Sequence, residues 1–218
     1  MPASPANFAA LRTLLAARFP AAAPKSGPGV PTGVPALDAA LGSGLPAGRL
    51  TELVSAAGSG GQLVLARLLA ATRAARQRVA LIDGADGFAP EAMPMDALRH
   101  LVWVRAKDLA ETLAAADMLV RDGNYAVIAI DLRGIAERVL RRQPATAWYR
   151  LQRAAENHPA AVLVQTSFAL VPAVPWRLAL RTPHGLAARR LTQAEVAAQL
   201  TVEIMRGQAV ASAEELAG

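Results

Sequence analysis

The sequence predicts an α/β protein: a mostly parallel, twisted sheet with helices on both faces. Three observations predict it. Short apolar runs recur along the chain without the alternation of a half-exposed strand, as in 79-VALI-82, 125-YAVIAI-130 and 161-AVLV-164. Such strands are buried on both faces, which is the mark of parallel sheets. Segments with helical periodicity stand between them, so strands and helices alternate. A glycine-rich turn, 55-SAAGSGGQ-62, joins the first strand to a helix and has the layout of a phosphate-binding loop.

The elements follow in order. Ser4-Pro5 reads as a helix start, with Ser as cap and Pro at the first helical position. Phe8, Leu11, Leu15 and Phe19 then share one helical face, which needs a partner surface. Residues 20–29, PAAAPKSGPG, form a Pro/Gly linker, so residues 1–29 are a tethered helix and its linker. The core is expected over 30–207. It holds a short helix over 35–41, a strand over Arg49–Val54 and a helix over Gln62–Gln77 with Leu65, Leu68 and Leu69 inward. Strands follow at Val79–Ile82 and Leu101–Val104. Asp108 with Glu111 has the pattern of a capping box and starts a helix running through Arg121. A strand over Tyr125–Ile130, a helix over 144–157 and a strand over Ala161–Val164 complete the alternating part. Arg177–Arg181 and Leu200–Met205 read as strands of an antiparallel extension, and 208–218 as a flexible tail.

The composition narrows the chemistry. With no cysteine in 218 residues there is no disulfide, thiolate metal site or cysteine nucleophile. No apolar run reaches membrane-spanning length unbroken, and no secretory leader pattern opens the chain, so a cytoplasmic location is expected. His100, His158 and His184 lack metal-ligand spacing. Ser55 and Ser59 have no base or oxyanion partner nearby in sequence. The net charge of +6 has two readings. One is an acidic partner such as nucleic acid. The other is coding bias, since only Lys25 and Lys107 are lysines and the remaining cations are arginine.

The run 32-TGVPALDAALGSGLPAGRLTELV-54 resembles the entry segment of the RecA recombinase core. 81-LIDGADGFAP-90 resembles its second strand and acidic turn, 125-YAVIAIDLRG-134 the strand with the metal-side aspartate, and 161-AVLVQTS-167 the strand ending in the nucleotide-sensing amide. The order and spacing of the four agree over residues 30–170. LPAGRLTELV, the DLRG after the strand and WRLALR at 176–181 are more similar to the ImuA family than to recombinases. These are RecA-like accessory proteins of damage-induced mutagenesis, also labelled SulA-like. The resemblance implies work with an ImuB-type Y-family polymerase relative and an error-prone replicative-type polymerase. It also implies RecA, or its filament on single-stranded DNA, as a contact, and a location at the nucleoid.

The same alignment implies a disarmed nucleotide site. The loop comprises Ser55, Gly58, Ser59, Gly60, Gly61 and Gln62, and Gly61 and Gln62 stand where a working loop has lysine and Ser or Thr. Ala85 stands where RecA-like ATPases place the water-activating glutamate, while Asp131 and Gln165 keep the metal-side and sensor places as vestiges. No catalytic residue, metal or cofactor is expected. The amides of Gly58–Gly61 still offer weak nucleotide or anion binding. The first RecA DNA loop corresponds to the basic region of Arg133, Arg138, Arg141, Arg142, Trp148, Arg150 and Arg153, which reads either as a weak single-strand contact or partner surface or as a solvated helix face with Trp148 and Tyr149 tucked into the core. The second corresponds to 167-SFALVPAVPW-176, whose apolar composition suits protein better than phosphate. The helix with Phe8, Leu11, Leu15 and Phe19 matches the RecA protomer-joining helix, which implies contact with RecA or self-association. Two alternatives stay open: a division inhibitor of the FtsZ-binding SulA type, and a recombination ATPase of the RecA or RadA type.

Overall fold

A computed structural model describes residues 29–181, 185, 188 and 190–207. The expected helix with Phe8, Leu11, Leu15 and Phe19, His184, and the tail at 208–218 lie outside the described residues. The helices are α1 (Pro35–Ala40), α2 (Gly61–Ala74), α3 (Met95–Leu98), α4 (Leu109–Asp122), α5 (Glu137–Leu140), α6 (Ala145–Glu156) and α7 (Gln193–Ala198). The strands are β1 (Leu50–Ser55), β2 (Val79–Asp83), β3 (Leu101–Arg105), β4 (Val127–Asp131), β5 (Ala161–Thr166), β6 (Trp176–Leu180) and β7 (Val202–Arg206). They form one seven-stranded sheet in the order β3-β2-β4-β5-β1-β6-β7. All neighbours are parallel except β6 and β7. The α/β reading is therefore right, including the antiparallel extension.

Strand alternation sorts the core onto two faces. Leu53, Val79, Leu81, Val127, Ala129 and Leu163 point to one side, where Leu65, Leu68 and Leu69 of α2 meet them. Leu50, Ala80, Ile82, Ile128, Ile130 and Val164 point to the other, against α4 and α6. Over β1 on that second side, Val171 and Val174 of the β5–β6 loop, both fully buried, complete the cover.

Local chemistry sets the helix ends. Pro35 opens α1, while Asp38 accepts from the backbone N and hydroxyl of Thr32, both at 2.8 Å. Asp108 caps α4 by accepting from Glu111 N at 2.8 Å, and Glu111 accepts from Lys107 N, so the expected cap is present one residue out of register. Gly123, in the left-handed region, ends α4. The helix after the glycine loop stops at Ala74 rather than Gln77, because Arg76 takes φ 56, outside helical space.

Candidate functional site

The C-terminal ends of β1, β2, β4 and β5 open into a cleft of about 520 Å³. The glycine turn forms one wall. Ser55 ends β1, Ser59 donates from both N and Oγ to Ala56 O, and Gly58 and Gly60 take φ 77 and 97. These positive values let the chain reverse within five residues and aim the N-terminus of α2 into the cleft. Gln62 donates from Nε2 to Gly87 O at 2.7 Å and so ties the loop to the turn after β2. Gln165, fully buried on β5, donates to Gly61 O at 3.3 Å. The loop and sensor residues read from sequence thus meet in one place.

Two acidic positions, Asp83 and Asp131, frame the opposite wall. Asp83 is buried and accepts from the backbone N of Ala85, Gly87 and Phe88, so it holds the turn. Ala85 lines the cleft and offers no polar atom from its side chain. Asp86 faces away: it pairs with Arg105 at 2.6 and 2.7 Å, and that hydrogen bond holds its carboxyl below the usual range. Asp131, buried at the end of β4, accepts from Arg133 N, from Nε at 2.8 Å and from Nη2 at 2.5 Å.

Arg133 corrects one expectation. The sequence placed it in a DNA- or partner-facing group, but its side chain is only 17% exposed and lies inside the cleft. A buried carboxylate needs a cation close by, and this one comes from two residues along the same chain segment. The guanidinium rests directly on Gly61. A Cβ at Gly61 would stand 2.0 Å from Arg133 Nη1 and 2.5 Å from Ser55 Oγ. The space above Gly61 is therefore filled from the far side by an arginine. Ser55 Oγ and Gln165 Oε1, both buried at the same spot, have no hydrogen-bond partner.

Trp148 follows the second of the two sequence readings, while Tyr149 does not. Trp148 is 1% exposed and packs with Leu151 and Ala155 in the core under α6, because its side chain falls on the inner face of that helix. The exposed aromatic is its neighbour Tyr149. Arg138, Arg142 and Arg153 are exposed and make no ion pair among the described residues. Arg141 pairs with Glu137 at 2.6 Å and stacks on the Phe168 ring at 4.6 Å, and Arg150 approaches Asp117 at 4.0 Å.

Sequence reasoning missed Glu52. It is fully buried on β1 yet accepts from Thr166 Oγ1, from Leu170 and Val171 N, and from Arg177 Nε at 2.5 Å. A lone carboxylate inside the apolar run LTELV was the signal that a buried partner must exist.

Among the described residues no cluster of His, Asp or Glu could hold a metal ion, and no helix is long and apolar enough to cross a membrane. His158 Nδ1 bonds to Ala154 O. His100 Nε2 lies 2.9 Å from Thr72 Oγ1, whose hydroxyl donates to Leu68 O, so the ring carries its proton on Nε2 and Nδ1 is left buried and bare. Burial first, then the charge of Arg73, lowers its pKa below 6.5. A lowered histidine value favours the folded state above the unfolded pKa, and that advantage is lost as pH falls through the folded one. Unfolding midpoints should therefore drop more steeply from about pH 7 to 5 in the native chain than in His100→Gln. Equal slopes would assign the acid response to other groups.

No family model matches this chain. It is 38% identical over 105 residues to a protein named RecA from Nocardia farcinica, 39% to one from Frankia casuarinae and 38% to one from Mycolicibacterium smegmatis. Each match covers 47% of this chain and 30% of the relative, so the chain spans under a third of the length of these curated relatives. By fold, and by sequence over just under half its length, the chain is RecA-like.

Proposed function

We propose that this chain is a non-hydrolysing RecA-like adaptor of the ImuA type, acting in damage-induced mutagenic translesion synthesis. Its partners on this reading are an ImuB-type Y-family polymerase relative and an error-prone replicative-type polymerase. It meets RecA, or the RecA filament on single-stranded DNA, at the nucleoid. One observation carries its non-hydrolysing part: the Arg133 guanidinium, paired to Asp131, occupies the space above Gly61; the ImuA part rests on the resemblance of LPAGRLTELV, DLRG and WRLALR. A phosphate loop works through a mobile lysine on the outer phosphates and a metal beside the strand carboxylate. Here the carboxylate already has its cation, and a side chain at the lysine place would first have to displace the Arg133 guanidinium and Ser55 Oγ. Loss of one such aimed charge or donor costs roughly 3–4 kcal/mol of transition-state stabilisation. Ala85 removes the water-activating group as well.

Purified protein with single-stranded DNA, magnesium and ATP is expected to release phosphate at the background rate. DNA-dependent turnover would overturn the reading in favour of the recombination ATPase. Added below stoichiometry to RecA filaments, the protein should alter RecA's own ATP turnover while leaving FtsZ polymerisation unchanged. The reverse pattern would favour the division inhibitor.

A further inference from the structure

We propose that the end of the sheet opposite the cleft is a sequence-independent docking face for the phosphate backbone of duplex nucleic acid, carried by Arg76, Arg78, Arg153 and Arg206. This face shares no residue with the cleft and stands apart from the adaptor reading.

The topology sets these residues at one end. The strands β1 to β6 all run the same way, so their first residues share the end away from the cleft. Arg78 directly precedes β2, and its carbonyl accepts from Ala126 N, just before β4. Arg76 stands two residues earlier, at φ 56 just past α2. Arg49 directly precedes β1, and its carbonyl accepts from Val162 N of β5. Arg206 ends the antiparallel β7, opposite Arg177 near the start of β6. With Arg49 and Glu156 it lines a hollow of about 320 Å³. Arg153 lies in the last turn of α6, the same helix end that carries Glu156. From β2 through β4, β5, β1 and β6 to β7 the row crosses neighbouring strands about 4.8 Å apart, so it spans about 24 Å.

The acids near this end are already engaged. Glu156 pairs with Arg49 at 2.8 Å, Asp96 with Arg73 at 2.9 Å and Asp117 with Arg121 at 3.0 Å. Asp122 accepts from Asn124 Nδ2 at 2.9 Å. Arg76, Arg78, Arg153 and Arg206 are exposed and make no ion pair among the described residues. At the cleft end Lys107, Arg138 and Arg142 also lack one, but so do the carboxylates of Asp108 and Glu111 beside Lys107. Uncompensated positive charge therefore gathers at the far end, where it attracts a polyanion. The chemistry of the row selects which. A protein partner wants an apolar centre, yet the chain entering β4 and β5 between Arg78 and Arg49 presents Asn124 and His158, and Tyr125 packs on the core. A single strand wants an aromatic platform, and this row has none. A duplex backbone needs only cations at its phosphates, and 24 Å covers about seven base pairs at 3.4 Å each.

The test uses the full chain and a fluorescein-labelled DNA duplex of roughly 20 base pairs, followed by anisotropy between about 50 and 200 mM salt. Oligothymidine of the same length and polyglutamate are the other probes. The duplex is expected to bind, two unrelated sequences equally well, with log affinity falling linearly against log salt. The triple variant Arg76→Gln, Arg78→Gln, Arg206→Gln should lower that slope by roughly 2–3, close to one for each arginine removed. All three side chains are exposed, so its unfolding midpoint should stay near that of the native chain. Arg138→Gln, Arg142→Gln at the cleft end should leave the slope unchanged. Four results overturn the proposal: no duplex binding at the lowest salt, an unchanged slope in the triple variant, oligothymidine bound more tightly than the duplex, or polyglutamate bound more tightly than the duplex. None of these readings involves ATP or RecA. Phosphate release from ATP would defeat the adaptor reading and leave the duplex result standing, and absent turnover without duplex binding defeats this face alone.

Discussion

Replacing Glu52 with alanine is expected to cost about 3–5 kcal/mol of folding stability, the penalty for breaking a buried ion pair from one side. The size follows from what remains. Arg177, 18% exposed, keeps its charge with no carboxylate to meet it, and the amides of Leu170 and Val171 point into a space without an acceptor. Each stranded donor adds roughly 1–3 kcal/mol of desolvation, and the groups overlap rather than sum. Urea unfolding followed by tryptophan fluorescence measures it. The companion variant Glu52→Leu, Arg177→Met should recover much of the loss, because an apolar replacement removes the charge along with its partner. A loss for Glu52→Ala below about 1 kcal/mol would mean that water reaches the carboxylate and that the loop is not held by it.

Gly61→Ala is expected to destabilise the protein by about 1–3 kcal/mol, the usual range for overpacking. The sign makes this informative. Gly61 opens a fourteen-residue helix, and in a helix alanine ordinarily stabilises relative to glycine by up to about 1 kcal/mol. The new methyl, however, meets Arg133 Nη1 at 2.0 Å, and moving that guanidinium uncouples it from Asp131. In an Arg133→Ala background the same substitution should cost less, with the Ser55 Oγ contact at 2.5 Å remaining, so a double-mutant cycle isolates the arginine's share. Gly61→Lys should gain no nucleotide affinity alone, and should gain it once Arg133 is gone. A stabilising Gly61→Ala would show that the arginine is not seated on the glycine.

The sequence was legible where the physics is local. The uninterrupted apolar runs of β2, β4 and β5 report burial on both faces, and Asp108 with Glu111 reports a cap within four residues. The short helices α3 and α5 were missed because four residues make little more than one turn and show no periodicity to read. Trp148 was readable: with Leu151 and Ala155 it completes an i, i+3, i+7 stripe, which agrees with the reading that tucks it into the core. The two ion pairs that define the site were not. Arg133 gives no local sign that it will lie on Gly61, and Glu52 and Arg177 meet across 125 residues of chain. Such pairs depend on the sheet order, which composition and periodicity leave open.

That sheet order has a consequence for synthesis. β1 is made first, yet it lies between β5 and β6, the fifth and sixth strands to be made. While β2, β3 and β4 can already pair with one another on the emerging chain, β1 must wait without neighbours until residue 161 has cleared the ribosome. Until then its carboxylate has none of its four donors and its apolar side chains have no sheet to join. Closure of such distant contacts is slow, and unpaired strand edges attract other chains in the interval. The glycine turn hangs from that strand, so the cleft between the ends of β1, β2, β4 and β5 cannot close before β5 is made.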